Sequence, residues 1–440
     1  MTDHPHATRA HRVRRWLRHL GADTRPWRSS REYRLLLTSR TITQAGSMIT
    51  YIAVPYQIKT LTGSYLAVGA VGTAELVPMV VCGLYGGALA DAVDRRRLVL
   101  CCEAALAVVS VLLAVNAWLP HPMLWPIYCL AGLAAAAASI QEPAVDAILP
   151  RVVIRDHLTS ALALASAWSS LSRIGGPALG GLLLTGLGAG PAYLLDVATF
   201  GVSLATLAAM RPVPPPGGAQ RPSVSGILTG LRFAASRQEL VGTYLVDIAA
   251  MALAMPTALL PFLADTLHAP RSLGLLYAAE SVGALVVSAT SGWTSRINHH
   301  GRAVAYAAAG WGLSITALGL VSDLWLALAC LAAAGAADML SGLFRGTLWN
   351  LTVPDHLRGR LAGIELLSYT TGPVLGQARA GGTAALVGVP TAIWSGGLAC
   401  VIAVGALTAR LPRFRSYHAD TTAPSDRPDP ATTAQTADTG

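Results

Sequence analysis

Charge is scarce in this chain. Asp, Glu, Lys and Arg make up only 12% of its 440 residues, and lysine occurs once, at Lys59. Soluble domains carry about 25% charged residues. Too little polar surface is therefore present to cover a water-soluble globule of this size. Metal-ligand spacing is missing as well. Cys82, Cys101, Cys102, Cys129, Cys330 and Cys400 all fall in apolar runs, where thiols act as small hydrophobes and not as metal ligands or disulfides. There is no Gly-rich nucleotide loop and no nucleophile triad, so neither an ATP-driven pump nor a membrane enzyme is expected, and no cofactor. No cleavable signal peptide is visible, because the first apolar run starts near Leu35.

What is present is hydrophobic: 53% of the residues are apolar, with a mean hydropathy of +0.50. The apolar runs number about twelve, near 35–61, 66–89, 98–118, 124–141, 159–187, 191–210, 241–264, 272–295, 303–321, 324–344, 361–387 and 389–410. Most have about the 20 residues a helix needs to cross a bilayer. Such a composition predicts an all-α membrane protein. Arginines crowd the stretch 9–34 and return at 95–97, 151–155, 211–237, 296–302, 358–360 and 410–415. The alternate links, 62–65, 119–123, 188–191 and 388–390, carry almost no charge. The positive-inside rule then places both termini in the cytoplasm. The net charge of +9 reads as topology and contact with anionic lipid, not as nucleic-acid binding.

The expected organisation is a basic tail (1–34), a six-helix bundle (35–210), a linker (211–240), a second six-helix bundle (241–411) and a disordered tail (412–440). In the first tail, residues 9–20 read equally as an amphipathic helix on the inner leaflet or as a disordered basic segment. The linker is Pro-rich over 212–222 and amphipathic over 226–240.

The two halves repeat. Asp156-His157-Leu158 recurs as Asp355-His356-Leu357, 199 residues later (355 − 156). Gly176-Pro177-Ala178-Leu179-Gly180 recurs as Gly372-Pro373-Val374-Leu375-Gly376, shifted by 196 (372 − 176). Gly69, Glu75 and Gly87 find partners in Gly274, Glu280 and Gly292, each shifted by 205 (274 − 69). Three matches in one order, with nearly constant shifts, indicate a parallel repeat of two six-helix units.

Between the second and third runs stands Gly86-Gly87-Ala88-Leu89-Ala90-Asp91-Ala92-Val93-Asp94-Arg95-Arg96-Arg97. This densely charged link resembles the second-to-third helix loop of the major facilitator superfamily of transporters. Val54-Pro55-Tyr56-Gln57-Ile58, Leu61-Thr62-Gly63-Ser64 and Pro261-Phe262-Leu263-Ala264-Asp265 resemble its enterobactin-exporter group of siderophore and drug exporters. The resemblance implies a major facilitator fold of twelve transmembrane helices, a small-molecule cavity between the halves, and a multi-pass monomer in the plasma membrane. It also implies a cytoplasmic gate at Gly87, Asp91, Asp94, Arg95 and Arg96, with Ala92 where the family has arginine. Gly176, Pro177, Gly180 and Gly181 match an antiporter-type motif, which reads alternatively as a kink-and-packing motif silent on direction.

Ionisable residues inside a membrane are costly and are functional candidates by default. Those here are Glu75, Arg173, Asp247, Glu280, Asp338 and Arg379. Asp247, Glu280, Glu75 and Asp338 are the candidate proton-coupling groups, Asp247 foremost. Tyr244, Met251 and Met255 share one face of the seventh helix and are substrate-cavity candidates, while Gln44, Met48 and Tyr51 on the first helix form a mixed face that suits an amphipathic cargo or core packing. Matching depths along the helices predict the pairs Glu75–Arg379 and Glu280–Arg173. Glu103, Glu142, Asp146 and Asp196 are expected near span ends, meeting headgroups or water. The function this implies is proton-coupled export of a natural product, a siderophore. Alternatives are multidrug or antibiotic efflux on the same scaffold, or a non-transporting membrane sensor or scaffold.

Overall fold

The computed structural model describes residues 25–213 and 232–418, with the side chains at 87, 88, 90, 91, 295, 355–360, 362–364, 366 and 367 outside that description. The expectations for residues 9–20, for most of the linker and for the tail beyond 418 lie outside the described residues.

Long helices dominate the described residues and are labelled in chain order. They are α1 (Arg31–Thr62), α2 (Tyr65–Ala92), α3 (Arg95–Trp118), α4 (Leu124–Val152), α5 (Leu158–Leu187), α6 (Ala189–Ala208), α7 (Gln238–Ala254), α8 (Leu273–Thr290), α9 (His300–Leu318), α10 (Leu324–Thr352), α11 (Asp355–Val387) and α12 (Val389–Arg410). Among the described residues, eight segments are long and apolar enough to cross a membrane: Tyr65–Gly86, Arg95–Trp118, Leu124–Val152, Ala189–Ala208, Gln238–Thr266, Pro270–Thr294, Leu324–Thr352 and Val389–Arg410.

Local chemistry sets the helix ends. Ser30 accepts a hydrogen bond from Tyr33 N (3.1 Å) and opens α1, which stops at Gly63 with φ 62°. Ser64 then opens α2 by accepting from Ala67 N (3.3 Å). Asp94 opens α3 by accepting from Arg97 N (2.9 Å), and Asp323 opens α10 through Leu326 N (3.0 Å). Asp94 is thus a helix cap within the expected gate motif. Two helices outrun their apolar stretches: α4 continues to Val152 and α10 to Thr352. There the chain turns charged, with Glu142 and Asp146 on α4, but stays helical. The seventh span breaks at Pro256, whose ring supplies no N–H, and resumes as a short helix, Leu260–Thr266.

Helices α1–α6 pack mainly on one another, as do α7–α12. Among the described residues the groups join chiefly through two pairs of long helices, α2 with α11 and α5 with α8. Both crossings depend on glycine. A Cβ on Gly69 would meet Gly381 Cα at 2.8 Å, and a Cβ on Gly181 would overlap the backbone of Gly274. Only the missing side chains let these backbones approach so closely.

Candidate functional site

The groups join most firmly at the end that carries the α1–α2 turn. Lys59 donates to Pro261 O at 2.6 Å and lies 2.5 Å from Asp265 Oδ2. Its ammonium stands 5.3 Å from the Phe262 ring centroid, and Phe262 meets Tyr65 edge-on at 4.5 Å. Deeper in, Tyr51 on α1 meets Tyr277 on α8 edge-on, with centroids 6.0 Å apart. Two motifs that lie about two hundred residues apart, one ending α1 and one in Leu260–Thr266, therefore form one contact between the groups.

Inward from Tyr51 the ionisable residues of both groups converge. Glu75, Glu280 and Arg173 all act electrostatically on Tyr51. Arg173 also acts on Glu280 and Asp338, and Arg345 on Asp338. Glu75, Glu280 and Asp338 are only half-buried and Tyr51 is 37% exposed, although all lie on helices packed into the interior. They therefore line an accessible space between the groups. Further along, Asp247 on α7 is buried and ion-paired with Arg345 on α10. Arg345 is two helical turns from Asp338 and faces the same way. Glu142 and Asp146 of α4, with Glu365 and Tyr369 of α11, continue this lining, and Arg40 holds Asp146 at 2.9 Å. Glu142 and Asp146 are both exposed toward this space.

Several sequence expectations change. Glu75 and Arg379 are not paired. On α11, Gln377 and Gly381 face α2, which puts Arg379 about 200° around the helix from either. Its guanidinium turns to α12, where Nη1 donates to Ala392 O (3.3 Å) and the head fills the space left by Gly396. Glu280 and Arg173 share one electrostatic neighbourhood but form no ion pair within 4.0 Å. Met251 and Met255 do not line the space. They are buried against α11, where Cβ atoms on Gly372 and Gly376 would meet their Cβ atoms at 2.8 and 2.6 Å.

In the other half, Met48 and Ile52 of α1 sit the same way on Gly176 and Gly180 of α5, with 2.7 and 2.8 Å as the corresponding approaches. The duplicated Gly-Pro-x-Leu-Gly motif therefore seats one helix of each group. Met48 is half-buried there. Tyr244 is also half-buried, and Gln44 Oε1 is buried without a hydrogen-bond partner among the described residues.

The gate motif divides too. Arg95 Nη1 donates to Ala147 O (3.2 Å) and Arg96 to Leu207 O (2.8 Å) and Ala208 O (2.6 Å), all within their own half. Arg96 thus closes the C-terminal carbonyls of α6. The Asp91 side chain lies outside the described residues.

Sequence reasoning also misplaced two acids. Glu103 and Asp196 are 2% and 1% exposed inside the first helix group, not at span ends. Their mid-helix positions in α3 and α6 were the available signal.

Two helix groups enclosing an accessible, ionisable interior are the architecture of a membrane transporter. The transmembrane secretion effector family of the major facilitator superfamily matches residues 24–439, and the chain belongs to it. It is 31% identical over 388 residues to the enterobactin exporter EntS of Citrobacter koseri, covering 87% of this chain and 93% of that one. The enterobactin exporter EntS of Escherichia coli O1:K1 is 30% identical over 397 residues, covering 89% and 95%. Among solved structures, a point mutant of the nucleoside transporter NupG superposes with a TM-score of 0.73 at 13% identity, covering 86% of this chain and 99% of that one. A bacterial homologue of the iron transporter ferroportin, in an inward-facing state, gives 0.67 at 15% identity, covering 88% and 99%.

Proposed function

We propose that this chain is a proton-coupled exporter of a siderophore-class natural product, working by alternating access. The observation that carries the reading is the convergence of Glu75 and Arg173 from one helix group with Glu280, Asp338 and the Asp247–Arg345 pair from the other. Groups from both halves around one space can change partners as the halves rock, which is what coupling a proton to a cargo requires. The relatives' printed cargo, enterobactin, supports the substrate class.

In this reading twelve spans form two six-helix bundles (35–210 and 241–411), joined by the cytoplasmic linker 211–240, with both termini cytoplasmic and the protein a monomer. The Lys59 contact closes the outer side, and Asp91 engages the opposite half at the inner side when the transporter opens outward. Gln44, Tyr51 and Tyr244 are the cargo contacts, Gln44 because its amide oxygen is otherwise unsatisfied.

A second reading, efflux of a cationic amphiphilic drug or antibiotic, is favoured by one observation. Around Tyr51, the carboxyls of Glu75 and Glu280 outnumber the single guanidinium of Arg173.

Everted membrane vesicles test both readings. Enterobactin accumulation driven by an imposed pH gradient, abolished by Asp247→Asn with counterflow exchange partly retained, is the expected result. Accumulation of ethidium but not of enterobactin selects the second reading. No gradient dependence for either compound overturns proton coupling.

A further inference from the structure

Behind α1, away from the interior space, two carboxyls are sealed into the first helix group. Glu103 on α3 is 2% exposed and Asp196 on α6 is 1% exposed. Glu103 accepts from Gln141 Nε2 on α4 (2.7 Å) and from Thr43 Oγ1 on α1 (3.2 Å). The partners of Asp196 are Thr50 Oγ1 on α1 (2.6 Å), Ser110 Oγ on α3 (2.7 Å) and Thr199 Oγ1 on its own helix (3.3 Å). The two acids act electrostatically on each other. Gly46 of α1 makes room for them, since a Cβ there would lie 2.5 Å from Asp196 Oδ1 and overlap Thr199.

No Lys or Arg is within ion-pair reach of either carboxyl among the described residues. The other titratable groups facing the pair are Cys102 on α3 and Tyr193 on α6, and Tyr193 is already committed to Gln57 Oε1 (2.8 Å). Among the described residues helices α1 and α4 present Thr43, Thr50 and Gln141 to it, and Ser203 of α6 adds a hydroxyl beside Glu103. A carboxylate buried this deeply with no cation beside it is far costlier than a carboxylic acid, which its neighbours can satisfy as donor and acceptor. A hydroxyl or an amide can serve either form, so the cage does not require the charge.

We propose that Glu103 and Asp196 hold protons at neutral pH and form a second proton-binding site behind α1, separate from the ionisable groups of the interior. Helix α1 connects the two places. Thr43, Gly46 and Thr50 share the face turned to the acids, while Gln44, Met48 and Tyr51 lie about a third of a turn away, toward the interior. A shift or rotation of α1 on cargo binding stretches the Thr43 and Thr50 bonds and changes how firmly the protons are held. This link to transport rests on the exporter reading; the protonation itself does not.

Infrared difference spectroscopy of the full chain in liposomes, titrated through neutral pH, tests the site with no cargo. Expected is a protonated-carboxyl C=O band at neutral pH that loses one component in Glu103→Gln and another in Asp196→Asn. Thr50→Val keeps both carboxyls and removes one hydrogen bond, so it should shift the Asp196 component alone. Variant spectra identical to wild type in that region, or components lost to carboxylate bands at neutral pH, overturn the site.

Enterobactin-loaded vesicles test the link. Glu103→Gln and Asp196→Asn should lose gradient-driven transport and keep counterflow. Equal loss of both, with the infrared components as expected, leaves the site standing and removes its coupling to transport. Should no enterobactin move even in wild type, the infrared result stands by itself while the exporter reading fails.

Discussion

Lys59 and Asp265 meet across the boundary between the two helix groups, Nζ to Oδ2 at 2.5 Å, with the Pro261 carbonyl as the second acceptor. The ammonium is 15% exposed and the carboxylate 55%. Most of the contact's worth therefore lies in the charge-assisted bond to the carbonyl, and screening leaves little in the ion pair. Together they stabilise the closed end by about 1–2 kcal/mol.

Because Lys59 is the chain's only lysine, an amine-reactive reagent reports its release directly. Asp265→Asn removes the ion pair and leaves the carbonyl bond, so it should raise the rate of Lys59 acylation by up to about 5-fold, the equivalent of ~1 kcal/mol or less. Peptide mass mapping reads the modified side chain apart from the terminal amine. An unchanged rate would show that the ion pair adds nothing to holding the end closed.

Gly69→Ala and Gly274→Ala probe the same end through backbone contact. An added methyl meets Gly381 Cα at 2.8 Å in one case and the Pro177 carbonyl in the other. Neither has a flexible side chain that can give way, so the helix pairs must separate. Both variants should speed Lys59 acylation while leaving each helix group folded, as judged by helical circular dichroism.

Asp247 and Arg345 form a buried pair. Removing one partner strands a charge and should cost about 3–5 kcal/mol. Asp247→Asn and Arg345→Gln should each lower thermal stability in detergent, and the double variant should recover most of the loss. If Asp247 also carries the transported proton, gradient-driven transport stays absent in that stable double variant.

Glu75 and Arg379 point to different neighbours, so a double-mutant cycle with Glu75→Gln and Arg379→Met should be additive to within about 0.5 kcal/mol. A larger coupling in thermal stability would bring the two together in some state and restore the pairing that their depths suggest.

The depth of a residue along a helix was legible in the sequence. Each position adds about 1.5 Å, and the uncharged links and arginine-rich stretches mark the ends. Ser30, Gly63, Ser64 and Asp323 act where their chemistry places them, and the glycine-rich repeat marked the close approaches. Rotation about the helix axis was not legible. In water a polar face tells inside from outside, but in lipid the outward and the packed faces are both apolar.

That is why Met251 and Met255, grouped by spacing with Tyr244 and Asp247, turn out to seat α7 on α11. It is also why Arg379 faces Gly396 and not Glu75. Sequence determined the membrane, the repeat and the level of most charges, Glu103 and Asp196 excepted. Only tertiary packing, through which glycine faces which helix, decided the azimuth of each side chain and hence which charges share one space.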